Sequence, residues 1–317
     1  MASSPALSPH QSPAHNSNTP KLSAVSSPVL SPASTHSVPE HESVNLSVRE
    51  KIWSGCVPVL FSMSSNEVIS KQDPVSIFLS VPRVSYLPLV TQKVHTHFAE
   101  YAPALSDGMW FEFNGSALKW NFPIGVLYDL YVDSDDPVWR LTVHFQSYPK
   151  DDVIMRCDSK DVVKICFFNY LKQAVFLAMN NVNCVSALTK NDQNALWSGV
   201  CKADYNLYFP IYRLLFGRLQ NSQMTRYPFR IILRGFNINV DMVPIQRPLP
   251  LSEEDDSLTL KECLSQIVPG VMERMQQKAN IRVVVQGMKV PLDVPMIWLT
   301  RHAMHADCFL YILIIKK

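Results

Sequence analysis

Apolar residues recur at every second position over residues 57–63 and 75–81, and this period predicts two strands. In the second stretch Val75, Ile77, Leu79 and Val81 alternate as a half-buried strand requires. The period then lengthens. Leu87, Val90, Val94, Phe98 and Tyr101 fall three and four residues apart on one face of a helix, with Pro88 in its first turn. Residues 111–114 followed by Gly115 predict a strand that enters a tight turn, and Pro123, eight residues after that glycine, opens an apolar helical turn over 124–127. A last apolar run, 139–145, closes the block.

The pattern recurs in the second half. Residues 229–233 and the less regular 240–245 predict a strand pair. Thr259 and Glu262 have capping-box spacing ahead of the stripe Leu260, Leu264 and Ile267, and Pro269-Gly270 predicts the end of that helix. Residues 281–286, Gly287, Pro295, the apolar turn 296–299 and the run 309–315 then repeat the earlier order, each glycine and proline 172 residues after its counterpart. Strand, strand, helix, strand, strand, turn, strand is the order of a ubiquitin-like roll. The expected fold class is α+β, with two ubiquitin-like (β-grasp) domains flanking whatever lies between them.

Residues 157–222 read as helices. Ser159 is a candidate cap for the first, where Val162, Val163, Cys166, Phe167, Tyr170, Ala174 and Leu177 recur at helical intervals until Asn180-Asn181. A short helix is expected over 192–199, and a third over 204–216, with a kink or break at Pro210. The expected organisation is a disordered tail over 1–47, ubiquitin-like domains over 48–148 and 227–317, and a linker with a helix-rich domain over 149–226.

Composition narrows the function. The tail holds seven prolines, five of them in Ser-Pro pairs, and has almost no large apolar residue to bury. It lacks the apolar core of a signal peptide and the arginines of a transit peptide. A net charge of +2 with the signs interspersed gives no electrostatic case for nucleic acid. The longest apolar runs have strand length rather than membrane-spanning length. Seven scattered cysteines without a Cys-x-x-Cys pair suit reduced thiols. No two glycines lie close enough for a phosphate-binding loop, so no nucleotide cofactor is expected. His302, His305, Asp307 and Cys308 have metal-ligand chemistry, but they read as a polar helix end leading into the last strand, and no metal is expected.

Lys172 is the only charged residue between Lys164 and Lys190, and its helical neighbours include Phe168, Val175 and Phe176. Apolar surroundings favour the neutral amine that attacks a carbonyl, which makes Lys172 a candidate acceptor; a stem packed on apolar neighbours with its head in water is the alternative. The sequence ends Ile315-Lys316-Lys317 without a glycine tail, so the expected role is to receive a ubiquitin-like modifier rather than to be one. A rival reading makes Cys166 or Cys308 the nucleophile of a conjugating or deconjugating enzyme. A third is an interaction module that works only by non-covalent association.

The strings LSVPRVSYLPLVTQKVHTHF at 79–98, WFEFNGSALKWNFPIGVLYDL at 110–130, WRLTVHFQSYP at 139–149 and NDQNALWSG at 191–199 closely resemble the autophagy protein 5 family, as do YPFRI at 227–231 and residues 286–315. The resemblance runs from about Val48 to the C-terminus. It implies two ubiquitin-like domains around a helix-rich domain, and a non-catalytic acceptor and scaffold. It further implies an isopeptide bond to the C-terminal glycine of autophagy protein 12. The segment Cys157, Asp158, Ser159, Lys160 and Asp161 matches the family motif ahead of the acceptor helix, which places the acceptor at Lys172. Members often carry an acid shortly after that lysine, whereas here Gln173, Ala174 and Val175 are uncharged, leaving geometry to supply most of the rate.

By the same resemblance the coiled-coil autophagy protein 16 packs a helix in a groove formed by the three domains. The assembly then stimulates transfer of autophagy protein 8 from its conjugating enzyme to phosphatidylethanolamine. Arg83 and Tyr86 are candidate partner-binding residues from the clearest family string. The expected location is the cytoplasm, peripherally on phagophore membranes.

Overall fold

The computed structural model describes residues 48–316 apart from 104–107, 133–135, 150–153, 217–223, 237–241, 252–257 and 278–279. The tail expected over 1–47 lies outside the described residues.

After a short helix over 48–53, the first ubiquitin-like region runs β1 (Cys56–Met63), β2 (Ile77–Pro82), α1 (Leu87–Phe98), β3 (Trp110–Phe113), β4 (Ser116–Ala117), α2 (Ile124–Tyr131) and β5 (Trp139–His144). Its sheet order is β2-β1-β5-β3-β4, with β1 parallel to β5 and the other neighbours antiparallel. Val57, Val59 and Phe61 of β1 and Leu141 and Val143 of β5 point into one core, while the intervening positions face outward. Leu87, Val94 and Phe98 of α1 close that core. The alternation expected from residue 75 begins later, because Val75 is exposed ahead of β2.

The second region contains β6 (Phe229–Arg234), β7 (Ile281–Val285), β8 (Met288–Lys289) and β9 (Leu310–Lys316), in the order β6-β9-β7-β8 with β6 parallel to β9. Of the strand expected over 240–245, residues 240 and 241 lie outside the described residues. Ile245 makes an isolated antiparallel bridge to Ile231. The Thr259–Glu262 capping box forms in both directions. The helix it starts ends before the proline, but Pro269-Gly270 does not stop helical structure: Pro269 is the first residue of a further helix (Pro269–Gln276), where its missing N–H is harmless.

The duplication extends to backbone angles. Asn114 and Gly115 have φ of 49° and 80°, and Gln286 and Gly287 have 51° and 79°, the pair of positive values that a two-residue hairpin turn needs. Pro123 and Pro295 each occupy the N-cap position of an eight-residue helix, Ile124–Tyr131 and Met296–Ala303.

The intervening helices, continuing the numbering, are α3 (Lys160–Met179), α4 (Asn183–Ser186), α5 (Lys190–Lys202) and α6 (Tyr205–Phe216). Ser159 is at the N-cap of α3 but its side chain makes no capping hydrogen bond, whereas Thr189 and Asp192 form a full box ahead of α5. Asn180 ends α3 in the left-handed conformation. Pro210 lies inside α6 without interrupting it, contrary to the expected break. Although α3 is long and apolar enough to cross a membrane, Val163, Phe167, Leu171, Ala174, Val175 and Ala178 are buried along one side, as in a core helix.

Candidate functional site

The acceptor candidate sits on the side of α3 that the core leaves free. Lys172 is exposed, between buried Leu171 and exposed Gln173, and Phe176 one turn on is half exposed. Of the two sequence readings of Lys172, the structure matches the one with its head in water: the apolar neighbours divide between the core (Val175) and the surface (Phe176). What is built is its foundation. Asn121 Nδ2 donates to the Tyr170 hydroxyl at 2.8 Å, and Arg230 donates to Gln173 Oε1 at 3.0 Å, so groups from both ubiquitin-like regions hold the turn that bears the lysine. Further along, the backbone N–H of Thr225 donates to the Ala178 carbonyl at 2.7 Å.

A second feature is an open cleft lined by aromatic and polar side chains. The 48–53 helix, the loop before α1, α6 and the second ubiquitin-like region all contribute to it. The Trp53 ring lies tilted against that of Tyr208 with centres 4.2 Å apart, and the Arg49 guanidinium lies 4.4 Å from the Tyr212 ring centre while donating to its hydroxyl at 2.7 Å. Trp53 Nε1, the Tyr205 hydroxyl, Gln286 Oε1 and the Nδ1 atoms of His302 and His305 are buried there without a hydrogen-bond partner among the described residues. Burial, with Arg49 and Arg301 adding to it, pushes the His302 pKa down to about 4; burial and Arg83 push that of His305 down to about 3. Both rings are therefore neutral at physiological pH. Sequence reasoning missed this cleft, although Tyr205, Tyr208, Phe209, Tyr212 and Phe216 spell an aromatic stripe at helical spacing.

The residues expected to form a polar helix end are instead buried. His305, Asp307 and Cys308 are each no more than 3% exposed, and Asp307 accepts from the Tyr311 hydroxyl at 2.7 Å. Burial raises the Asp307 pKa against the opposing pull of Arg230, and burial raises the thiol pKa of Cys308 and of Cys166. Among the described residues no group of His, Cys, Asp and Glu could hold a metal ion.

Arg83 and Tyr86 are not free to meet a partner in this structure. Tyr86 is 1% exposed. Arg83 makes a nearly buried ion pair with Asp129, and its guanidinium lies against Gly287 of the second hairpin turn. Both partners belong to the first region, and the second meets them at Gly287, whose backbone N–H also donates to the Asp129 carboxylate. Burial raises the Asp129 pKa while Arg83 opposes that rise.

Comparison with known proteins accounts for this three-part layout. Family models described as the UblA domain, the alpha-helical bundle region and the UblB domain of autophagy protein ATG5 match residues 52–145, 160–218 and 226–314 in turn. The chain belongs to the autophagy protein 5 family. The autophagy protein 5 of Drosophila melanogaster is 29% identical, covering 84% of this chain and 95% of that protein; that of Arabidopsis thaliana is 26% identical, covering 84% and 96%. The crystal structure of Kluyveromyces marxianus Atg5 has the same fold, with a TM-score of 0.72 and 22% identity over 84% of this chain and 99% of that one. Membership gives the chain a role in autophagy, as an autophagy protein rather than a classical enzyme, built on two ubiquitin-like domains.

Proposed function

We propose that this chain is the covalent acceptor of autophagy protein 12 and a scaffold that stimulates lipidation of autophagy protein 8. The observation that supports it most is the exposure of Lys172 on a helical turn held by both ubiquitin-like regions. The neutral Lys172 amine attacks the thioester carbonyl of the modifier's C-terminal glycine. The carbon–nitrogen bond forms, the carbon–sulfur bond breaks, the carrier leaves as a thiol and the amine gives up a proton. An exposed amine on a rigid helix meets the bulky carrier without rearrangement, and orientation rather than a local carboxylate lowers the barrier.

The cleft is our candidate for the groove that takes a helix of autophagy protein 16. It draws on all three regions, presents aromatic surface, and offers buried polar atoms that a partner side chain would satisfy. In this reading the protein is cytoplasmic and acts peripherally at the phagophore membrane, where the assembly engages the conjugating enzyme of autophagy protein 8.

A cysteine nucleophile is disfavoured on physical grounds: Cys308 is fully buried against the Tyr208 hydroxyl, and burial raises both candidate thiols. Incubation with the charged modifier and a denaturing gel test the proposal. Lys172→Arg is expected to retain the fold and yield no adduct, and a thiol-sensitive adduct in the parent would support the cysteine reading instead.

A further inference from the structure

Lys172 lies between two residues that are each tied to a different ubiquitin-like region, and one buried cation joins the ties. The Arg230 guanidinium, on β6, is centred 4.2 Å from the Tyr170 ring and 3.7 Å from the Phe309 ring. It donates to Gln173 Oε1 and, at 3.0 Å, to the Tyr311 hydroxyl, which passes a hydrogen bond to Asp307. Tyr170 receives its own bond from Asn121 of the first region. Burial opposes the charge of Arg230, but Tyr311 and Asp307 outweigh that effect and raise its pKa, so the cation persists.

We propose that Gln173 and Arg230 are positioning residues for conjugation, fixing the rotation of the α3 turn so that the Lys172 stem leaves the surface in one direction. The inference rests on the acceptor reading of Lys172 and adds a device to it. The tie at Gln173 is separable from the fold because Gln173 is exposed. Removing its amide leaves Arg230 still bonded to Tyr311 and enclosed by aromatic rings. With that tie gone the turn loses its directional hydrogen bond to the second region and keeps only the ring contact of Tyr170 with Arg230, and small angular errors at the helix become larger displacements at the end of a lysine side chain.

The test is single-turnover transfer from the thioester-charged conjugating enzyme, with melting curves on every variant. Gln173→Ala is expected to lower the limiting rate roughly tenfold, with the half-saturating concentration of charged enzyme and the melting temperature unchanged. Gln173→Glu keeps an acceptor for Arg230 and is expected to restore the rate without adding a new ionisation to the pH–rate profile. A parental rate for Gln173→Ala overturns the proposal, as does a rate loss matched by a lower melting temperature or a weaker half-saturation. So does a failure of Gln173→Glu to restore the rate, or restoration with a new ionisation. Lys172→Arg in the same assay separates the two claims: adduct formation there overturns the acceptor reading itself, whereas no adduct together with a parental Gln173→Ala rate overturns only the positioning role.

Discussion

Gly115 and Gly287 share a backbone conformation but not a neighbourhood. A Cβ added at Gly115 would meet nothing within 4 Å, whereas at Gly287 it would lie 3.0 Å from the Arg83 guanidinium that pairs with Asp129. Gly115→Ala is therefore expected to lower stability by about 1–2 kcal/mol through the positive φ alone. Gly287→Ala should lose more, because the ion pair must shift; equal losses in urea denaturation would contradict this account. The turns were legible in sequence as a glycine and a proline at matched spacing. The ion pair was not, because Asp129 is 46 residues from Arg83 and nothing local announces the contact. Arg83 was a partner-binding candidate only because it lies in the clearest family string.

His305 allows a residue-scale test by pH. Its pKa is depressed to about 3 in the folded chain, so between that value and the ordinary 6.5 the unfolded chain binds more protons. Stability from this residue falls as pH is lowered through that window. Relative to the parent, His305→Gln should gain about 1.4 kcal/mol per pH unit on acidification below 6.5. Taking the difference between the two proteins cancels the opposing contribution of Asp307, whose raised pKa favours the fold at low pH. A difference that stays flat from pH 7 to 5 would show that the ring is not held neutral by burial.

At the scale of elements, two N-caps expected from sequence differ in the fold. Thr259 Oγ1 accepts from the Glu262 N–H and the Thr259 N–H donates back to the Glu262 carboxylate, while Ser159 makes no capping bond. Thr259→Ala is expected to cost about 1 kcal/mol, and Ser159→Ala to stay within about 0.5 kcal/mol; thermal melts would distinguish them. Element identity was legible wherever periodicity was long, as in α1 and α3. It failed where one residue type supports two outcomes. Pro269 reads as a stop, but a proline also suits the first turn of the next helix. Pro210 reads as a break, yet it is accommodated within an aromatic helix whose packing outweighs one missing backbone bond.

For the whole molecule, the two ubiquitin-like regions serve as supports for what lies between them. They join at Arg83–Asp129 beside Gly287, grip the acceptor turn through Asn121 and Arg230, and contribute with α6 to the aromatic cleft. The duplicated order was readable because each half repeats local signals. The cleft was unreadable because its lining comes from positions as far apart as Arg49 and His305. Lys172 was visible as an isolated charge, but sequence left open whether it is enclosed or has its head in water, because which side of a helix the core covers depends on neighbours distant in sequence. The most direct test of the central claim is peptide mapping of the cellular conjugate. The account predicts a branched peptide in which the modifier's C-terminal glycine is joined to Lys172; a branch at another lysine, or an unmodified Lys172 in purified conjugate, would contradict it.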